Sequence, residues 1–242
     1  NYLNISDGLE IHYDGDLPAR SGMGSSSCFT VGLTKALLTL KKRSITNYDL
    51  AQKTIHFEQK IMKEIVGSQD QVAAAMGGFN KIIFQKNNFI KVKKISKNQN
   101  ISRLQDNLVL FYTGITRTAH KIASSYVNKL TNSKKEYIKN IVEHVKEGEK
   151  IIMSKNIDDF GKLLHSAWFL KKSLSSSISN PKIDNLYAEA IKSGALGGKL
   201  LGAGGGGFLL MYMKKSFRKK FLKKFPKVIE VPFKFSNEGS KV

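Results

Sequence analysis

Pro18-Ala19-Arg20-Ser21-Gly22-Met23-Gly24-Ser25-Ser26-Ser27 is the stretch that decides how this chain is built. Gly22 and Gly24 let the backbone approach a ligand with no Cβ in the way, and three hydroxyls follow where an apolar-periodic run begins. Free N–H groups, the positive end of a helix dipole and serine oxygens then converge on one spot, which favours an anion. The helix is predicted from Phe29, Val31, Leu33, Ala36, Leu37 and Leu40, which recur mostly at three- and four-residue spacing with no proline. Lys41-Lys42-Arg43 suits the negative end of that dipole, so the turn opens a helix of roughly four turns. Upstream, Leu9-Glu10-Ile11-His12-Tyr13-Asp14 alternates apolar with polar and predicts a half-buried strand. Strand, glycine turn, serines and helix form a phosphate-binding order. An ordinary N-capped helix after a glycine turn is the plainer alternative, and the loop alone does not separate the two.

The 242 residues suffice for one large or two modest domains with apolar cores. No apolar run approaches the roughly 18 residues of a membrane span. The single cysteine, Cys28, excludes an internal disulfide framework; a cytoplasmic location is expected, with Cys28 packed in a core. Because the chain opens at Asn1 in what reads as the run-up to a strand, an N-terminal portion is expected to be missing.

Forty Lys and Arg against 19 Asp and Glu leave a net charge of +21, which invites a nucleic-acid reading. The densest cluster runs from Lys214 to Lys227, where Lys214, Lys215, Arg218, Lys219, Lys220, Lys223, Lys224 and Lys227 surround Phe217, Phe221, Leu222 and Phe225. Those apolar residues fall at helical spacing, so the cluster reads as the solvated face of an amphipathic helix with generic anion attraction. Neither a specific nucleic-acid site nor a membrane contact is expected.

Further helices are predicted over Asp49–Met62, capped by Asn47 with Leu50, Ile55, Ile61 and Met62 inward, and over Gln69–Met76. Phe79–Phe84 and Phe89–Ile95 predict a hairpin across Asn87-Asn88, and the polar stretch Ser96–Arg103 marks a boundary between lobes 1–100 and 101–242. Beyond it come a buried strand at Leu108–Tyr112 and helices near Ala119–Leu130, Lys135–Met153, Ile157–Leu174 and Ile183–Ser193. A glycine-rich turn, a strand at Phe208–Met213, the lysine-rich helix and a last strand at Val228–Phe235 follow. Strands and helices without regular β-α alternation indicate an α+β fold.

Two other stretches carry chemistry. In Gly67-Ser68-Gln69-Asp70-Gln71 a carboxylate stands in the first turn of a short helix between two amides, with Glu58 on the preceding helix. Such an acid can accept a hydroxyl proton or hold a metal, or be an aspartate favoured by the helix dipole. Gly202-Ala203-Gly204-Gly205-Gly206-Gly207 nominally satisfies G-x-G-x-x-G, but a strand follows and no β-α-β unit surrounds it. It suits close backbone packing against a ligand or a neighbouring loop.

Together these stretches resemble the GHMP small-molecule kinase superfamily of galactokinase, homoserine kinase, mevalonate kinase and phosphomevalonate kinase. The 18–27 stretch is similar to its phosphate-binding motif, with Met23 where Leu is usual. Lys199-Leu200-Leu201-Gly202-Ala203-Gly204-Gly205-Gly206-Gly207 is similar to its C-terminal glycine motif, with Leu201 where a hydroxyl residue is frequent. Gly67–Asn80, Tyr112-Thr113-Gly114-Ile115-Thr116-Arg117, and Ser166-Ala167-Trp168 with Lys171-Lys172 resemble its D-glycero-D-manno-heptose 7-phosphate kinase branch. The resemblance implies two lobes, a ribosomal-protein-like β-α unit and a ferredoxin-like sandwich, with ATP in the cleft between them. It also implies that the superfamily's first motif should precede Asn1.

For the site, the resemblance implies that Pro18, Arg20, Gly22, Met23, Gly24, Ser25, Ser26, Ser27, Gly202, Gly204 and Gly205 hold the nucleotide. Ser26 and Glu58 would bind Mg²⁺, and Asp70 would orient or deprotonate the anomeric hydroxyl. Gln69, Gln71, Arg117, Lys171 and Lys172 would contact a heptose 7-phosphate that becomes the 1,7-bisphosphate, on the way to nucleotide-activated heptose and surface polysaccharide. The partner implied is a small-molecule sugar phosphate, handled by a monomer or homodimer. Alternatives are a fucose or galactose kinase, a basic nucleic-acid-binding module, and a degenerate homologue without activity.

Overall fold

A computed structural model describes residues 2–3, 5–6, 8–18, 21–87, 89–95, 99–115 and 135–242. Three helices and a hairpin build the first body of structure: α1 (Ser25–Leu40), α2 (Asn47–His56), α3 (Gln69–Met76), β1 (Asn80–Phe84) and β2 (Ile90–Lys94). Their shared core is Val31, Leu50, Ala51, Ile55, Val72, Ala75 and Ile90. The second body comprises α4 (Gln99–Asn107), β3 (Leu108–Tyr112), α5 (Lys135–Met153), α6 (Asp159–Lys172), α7 (Pro181–Lys192), β4 (Gly197–Leu200), β5 (Phe208–Tyr212), α8 (Lys215–Lys224) and β6 (Ile229–Val231). Its strands form an antiparallel sheet in the order β4-β5-β3-β6.

The near-continuous apolar runs of β3 and β5 follow from burial of the sheet on both faces. Val109 faces Met211 and Phe111 faces Leu209 across the ladder, and these side chains join Ile183, Leu186 and Ala190 of α7 and Phe221 of α8 in one core. The intervening Leu108, paired with Tyr212, faces a second core with Leu104 of α4, Ile151 and Ile152 of α5, and Leu163 of α6. Asn180 caps α7 by accepting from the amides of Lys182 and Ile183, each at 3.1 Å, ahead of a proline in the first turn. Glu149 on α5 pairs with Lys81 of β1 and Lys93 of β2, tying the hairpin to the second body.

The structure corrects several sequence expectations. Residues 9–14 are exposed and belong to no strand; the alternation has no partner strand among the described residues. On α1 the inward residues are Ser27, Thr30, Val31, Thr34 and Leu38, while Phe29 and Leu40 are exposed, because the helix meets α2 and α3 through its hydroxyl-bearing side. Cys28 is exposed rather than packed in a core. The second helix stops at His56 and widens into a π turn over Phe57–Ile61, leaving Ile61 and Met62 exposed; Thr46, not Asn47, caps it by accepting from Asp49 N at 3.1 Å. Residues Gln99–Arg103, read from sequence only as polar chain, begin α4, whose buried residues are Ile101 and Leu104. Strand β4 was not predicted, its Gly197-Gly198 start lacking the side chains that signal a strand. In α8, Phe217 is exposed and Arg218 is buried, its guanidinium donating to the carbonyls of Met213, Asp106 and Leu108 and pairing with Glu230 at 3.0 Å.

Candidate functional site

The glycine turn takes the left-handed backbone that its glycines permit. Gly22 and Gly24 adopt φ of 84° and 70°, a region that disfavours a Cβ, and α1 starts directly at Ser25. No side chain among the described residues caps this helix end, and its first-turn amides have no intrahelical partner, which leaves them available as donors. Ser26 is exposed at that end. Ser27 is buried and donates to Glu58 Oε2 at 2.9 Å.

Glu58 reaches that position through the π turn, a local widening that recurs at functional sites. It is 3 % exposed, and its Oε2 also accepts from Gln71 Nε2. Its other oxygen, Oε1, has no hydrogen-bond partner among the described residues; neither do Gln71 Oε1 and Ser21 Oγ. Buried polar atoms of this kind are normally satisfied, and these three lie around the same loop.

Asp70, in the first turn of α3, comes up beside the glycine turn: a Cβ built on Gly24 would stand 3.1 Å from the Asp70 carboxyl carbon. Asp70 is an exposed residue whose carboxyl group is partly desolvated; that desolvation, then the nearby Glu58 carboxylate, raise its pKa above the ordinary value, against a lowering hydrogen bond from Gln69. Burial, then Asp70 and Glu58, likewise raise the Cys28 thiol. A helix end with available amides, a carboxylate of raised basicity and a buried acid with one oxygen unpartnered among the described residues can together hold a phosphate chain, take a proton and share a divalent cation.

The second glycine loop, 202–207, closes on the first. A Cβ at Gly207 would lie 1.9 Å from the Ser21 carbonyl oxygen. The loop is fixed by Gly205 N donating to Ile178 O and Gly207 N to Ile115 O, both at 2.8 Å, and by Asn180, which donates to Gly205 O while capping α7. Thr113 donates through both its amide and its hydroxyl to Gly207 O, at 3.0 and 2.8 Å.

The structure thus brings together Gly22, Met23, Gly24, Ser25, Ser26, Ser27, Glu58, Gln69, Asp70 and Gln71, with Gly207 of the second loop against Ser21, while Gly204 and Gly205 pack on Ile178. Gln71 is fully buried against Glu58, whereas Gln69 is exposed. Pro18 is exposed. Lys171 donates to Leu200 O at 3.1 Å and to Gly202 O, so it grips the glycine loop. Lys172 pairs with Asp184 at 2.6 Å and lies over the Trp168 and Phe169 rings. Arg20, Arg117 and the helix expected near 119–130 lie outside the described residues. Sequence reasoning passed over Ser21 and Thr113; both sit inside motifs it quoted, yet only burial and hydrogen bonding single them out.

Among the described residues no helix is long and apolar enough to cross a membrane. Residues 1–78 match the GHMP kinases N terminal domain and residues 134–228 the GHMP kinases C terminal domain. The chain is 32% identical to a D-glycero-alpha-D-manno-heptose 7-phosphate kinase from Campylobacter jejuni, over 96% of this chain and 70% of that protein. It is 30% identical to a bifunctional fucokinase/GDP-fucose pyrophosphorylase from Arabidopsis thaliana, over 90% of this chain and 21% of that protein. Among solved structures, a D-glycero-D-manno-heptose 1-phosphate kinase from Bacteroides thetaiotaomicron superposes with a TM-score of 0.71 at 22% identity, a likeness of fold; the match covers 93% of this chain and 64% of that one. The chain therefore spans less than two thirds of that solved relative. Both domain matches, in order along the chain, and the identity across nearly its whole length show that it belongs to the GHMP kinase family.

Proposed function

We propose that this chain carries the phosphoryl-transfer site of an ATP-dependent sugar kinase that phosphorylates the anomeric hydroxyl of D-glycero-D-manno-heptose 7-phosphate. The observation that carries the reading is the Asp70 carboxyl group facing Gly24 at the open end of α1. In this assignment the amides from Gly22 to Ser27 hold the ATP phosphates, and Asp70 takes the proton of the sugar hydroxyl. The freed oxygen bonds to the terminal phosphorus as the bond to ADP breaks. Little covalent chemistry falls to the protein; positioning and charge neutralisation carry the rate. The raised basicity of Asp70 suits it to that proton.

Mg²⁺ fits this donor set. Glu58 has one oxygen with no partner among the described residues, and Ser26 and Ser27 bring hydroxyls to the same helix end. Mg²⁺ would neutralise charge on the transferring phosphoryl group. For the 7-phosphate, Lys171 and Lys172 would first have to leave their present partners, which makes Arg117 the first residue to test. The identity with the heptose 7-phosphate kinase favours the heptose substrate, and the identity with the fucokinase keeps fucose as the second reading.

A coupled ADP-release assay on the complete protein with a panel of sugars and sugar phosphates tests both. Turnover that requires the 7-phosphorylated heptose supports the first reading, and turnover on free fucose selects the second. Asp70→Asn keeps the shape and removes the charge, so it should lower kcat on the order of a hundredfold or more. Full turnover by this variant overturns the assignment of Asp70.

A further inference from the structure

Beyond β6 the chain returns to the first body and crosses the far end of α3 as irregular backbone. Ser236 O accepts from Gly78 N at 2.8 Å, Asn237 O accepts from Lys94 Nζ at 3.1 Å, and Ser240 N donates to Ala74 O at 2.9 Å. The Ser240 carbonyl also accepts from Lys35 Nζ of α1. The approach is backbone to backbone: a Cβ on Gly239 would stand 2.0 Å from Ala75 O, and one on Gly77 2.1 Å from the Glu238 carbonyl carbon. Ser240 therefore bonds to both helices of the site, as Glu58 does through Ser27 and Gln71. One of them, α1, begins with the open amides, and the other, α3, begins with Asp70.

A helix of eight residues such as α3 depends on its neighbours for its placement. Ser236, Asn237, Glu238, Gly239, Ser240 and Lys241 bring no apolar side chain, so this segment does not act as a hydrophobic cover. What it supplies is fixed distances. The geometry points to residues Ser236–Ser240 as a clamp that sets the spacing of α1 and α3 and so holds Asp70 against Gly24, with Lys35 and Gly239 as its positioning residues. The kinetic consequence rests on the reading of Asp70 as proton acceptor; the spacing itself does not. A displacement of about 1 Å at a reacting group can cost on the order of a hundredfold in rate.

Cys28 offers a reporter that needs no substrate. It is the only cysteine and is exposed, and Asp70 and Glu58 are the carboxylates that, after burial, raise its thiol. Moving Asp70 away frees the thiolate, the species that alkylates. Iodoacetamide alkylation of Cys28 would be followed against pH in the complete protein and in four variants: Asp70→Asn, Gly239→Val, Lys35→Ala and Lys35→Arg. Asp70→Asn, Gly239→Val and Lys35→Ala should each alkylate about threefold faster than wild type near pH 8, with Lys35→Arg close to wild type because its guanidinium still reaches the Ser240 carbonyl. Gly239→Val should also lose about tenfold in kcat with the KM for ATP unchanged. Lys35→Ala introduces no collision and so covers the case in which Gly239→Val fails to fold. Wild-type alkylation in both clamp variants overturns the proposal. Faster alkylation in them supports it even if Asp70→Asn keeps full turnover, a result that removes only the proton-acceptor role.

Discussion

Two glycine loops meet at Ser21, and they use glycine for opposite ends. Around Gly24 the nearest occupant of the space a Cβ would fill is a side chain, Asp70, and the helix amides beyond it are open. Around Gly204, Gly206 and Gly207 that space is bounded by the backbone of Ile178 at 2.7 Å, Ile115 at 2.5 Å and Ser21 at 1.9 Å. There the amides of Gly205 and Gly207 already donate to Ile178 and Ile115. The first loop borders a movable side chain, as the proposed nucleotide site requires, while the second lets the protein close on itself and meets the first at Ser21. Sequence composition makes the two loops look alike; what fills the place of the missing side chain tells them apart.

The contrast breaks most readily at Gly207. Alanine there meets a carbonyl oxygen and must hold a φ of 92°, so Gly207→Ala should lower stability by about 3 kcal/mol, read from the urea midpoint. Gly24→Ala faces a milder demand, a φ of 70° and a carboxylate 3.1 Å away that can shift. Its stability loss should be about 1–2 kcal/mol, and its larger effect should be on the ligand, with nucleotide affinity by calorimetry weakened about tenfold. Equal stability losses, or unchanged nucleotide affinity in Gly24→Ala, would show that both loops are merely structural.

Legibility in the sequence followed the physical signal. The helix after Ser27, the short helix at Gln69–Met76, the hairpin and the strand at Leu108–Tyr112 were readable because periodicity, glycine punctuation and apolar runs are local properties. What failed was set by distant partners. The outward turn of Phe29 and the inward turn of Thr30 and Thr34 depend on what α2 and α3 present, and burial of Arg218 depends on carbonyls over a hundred residues earlier in the chain. For the site, the glycine turn and Asp70 were legible as types of residue in suggestive places. Their contact across 46 residues was not, nor was the π turn that carries Glu58 inward, nor the return of Ser240 onto α3.

The smallest expected effect sharpens the contrast, because a site kept open for a ligand should cost the empty protein stability. Burial and the Glu58 charge raise the pKa of Asp70, against the lowering hydrogen bond from Gln69. A carboxyl group whose pKa is higher folded than unfolded binds protons more tightly in the folded state. Stability then falls as pH rises from the unfolded value through the folded one, and the penalty is full above it. Asp70→Asn, which never ionises, escapes the penalty. It should melt slightly above wild type at pH 7, with the gap closing as pH falls towards 3.8, the ordinary aspartate value. Saturating nucleotide and Mg²⁺ should reverse the order at pH 7, since bound cation would favour the ionised carboxylate in wild type alone. A constant gap at every pH would mean that the carboxylate is no more strained beside the open loop than in water, and that its place there reflects packing alone.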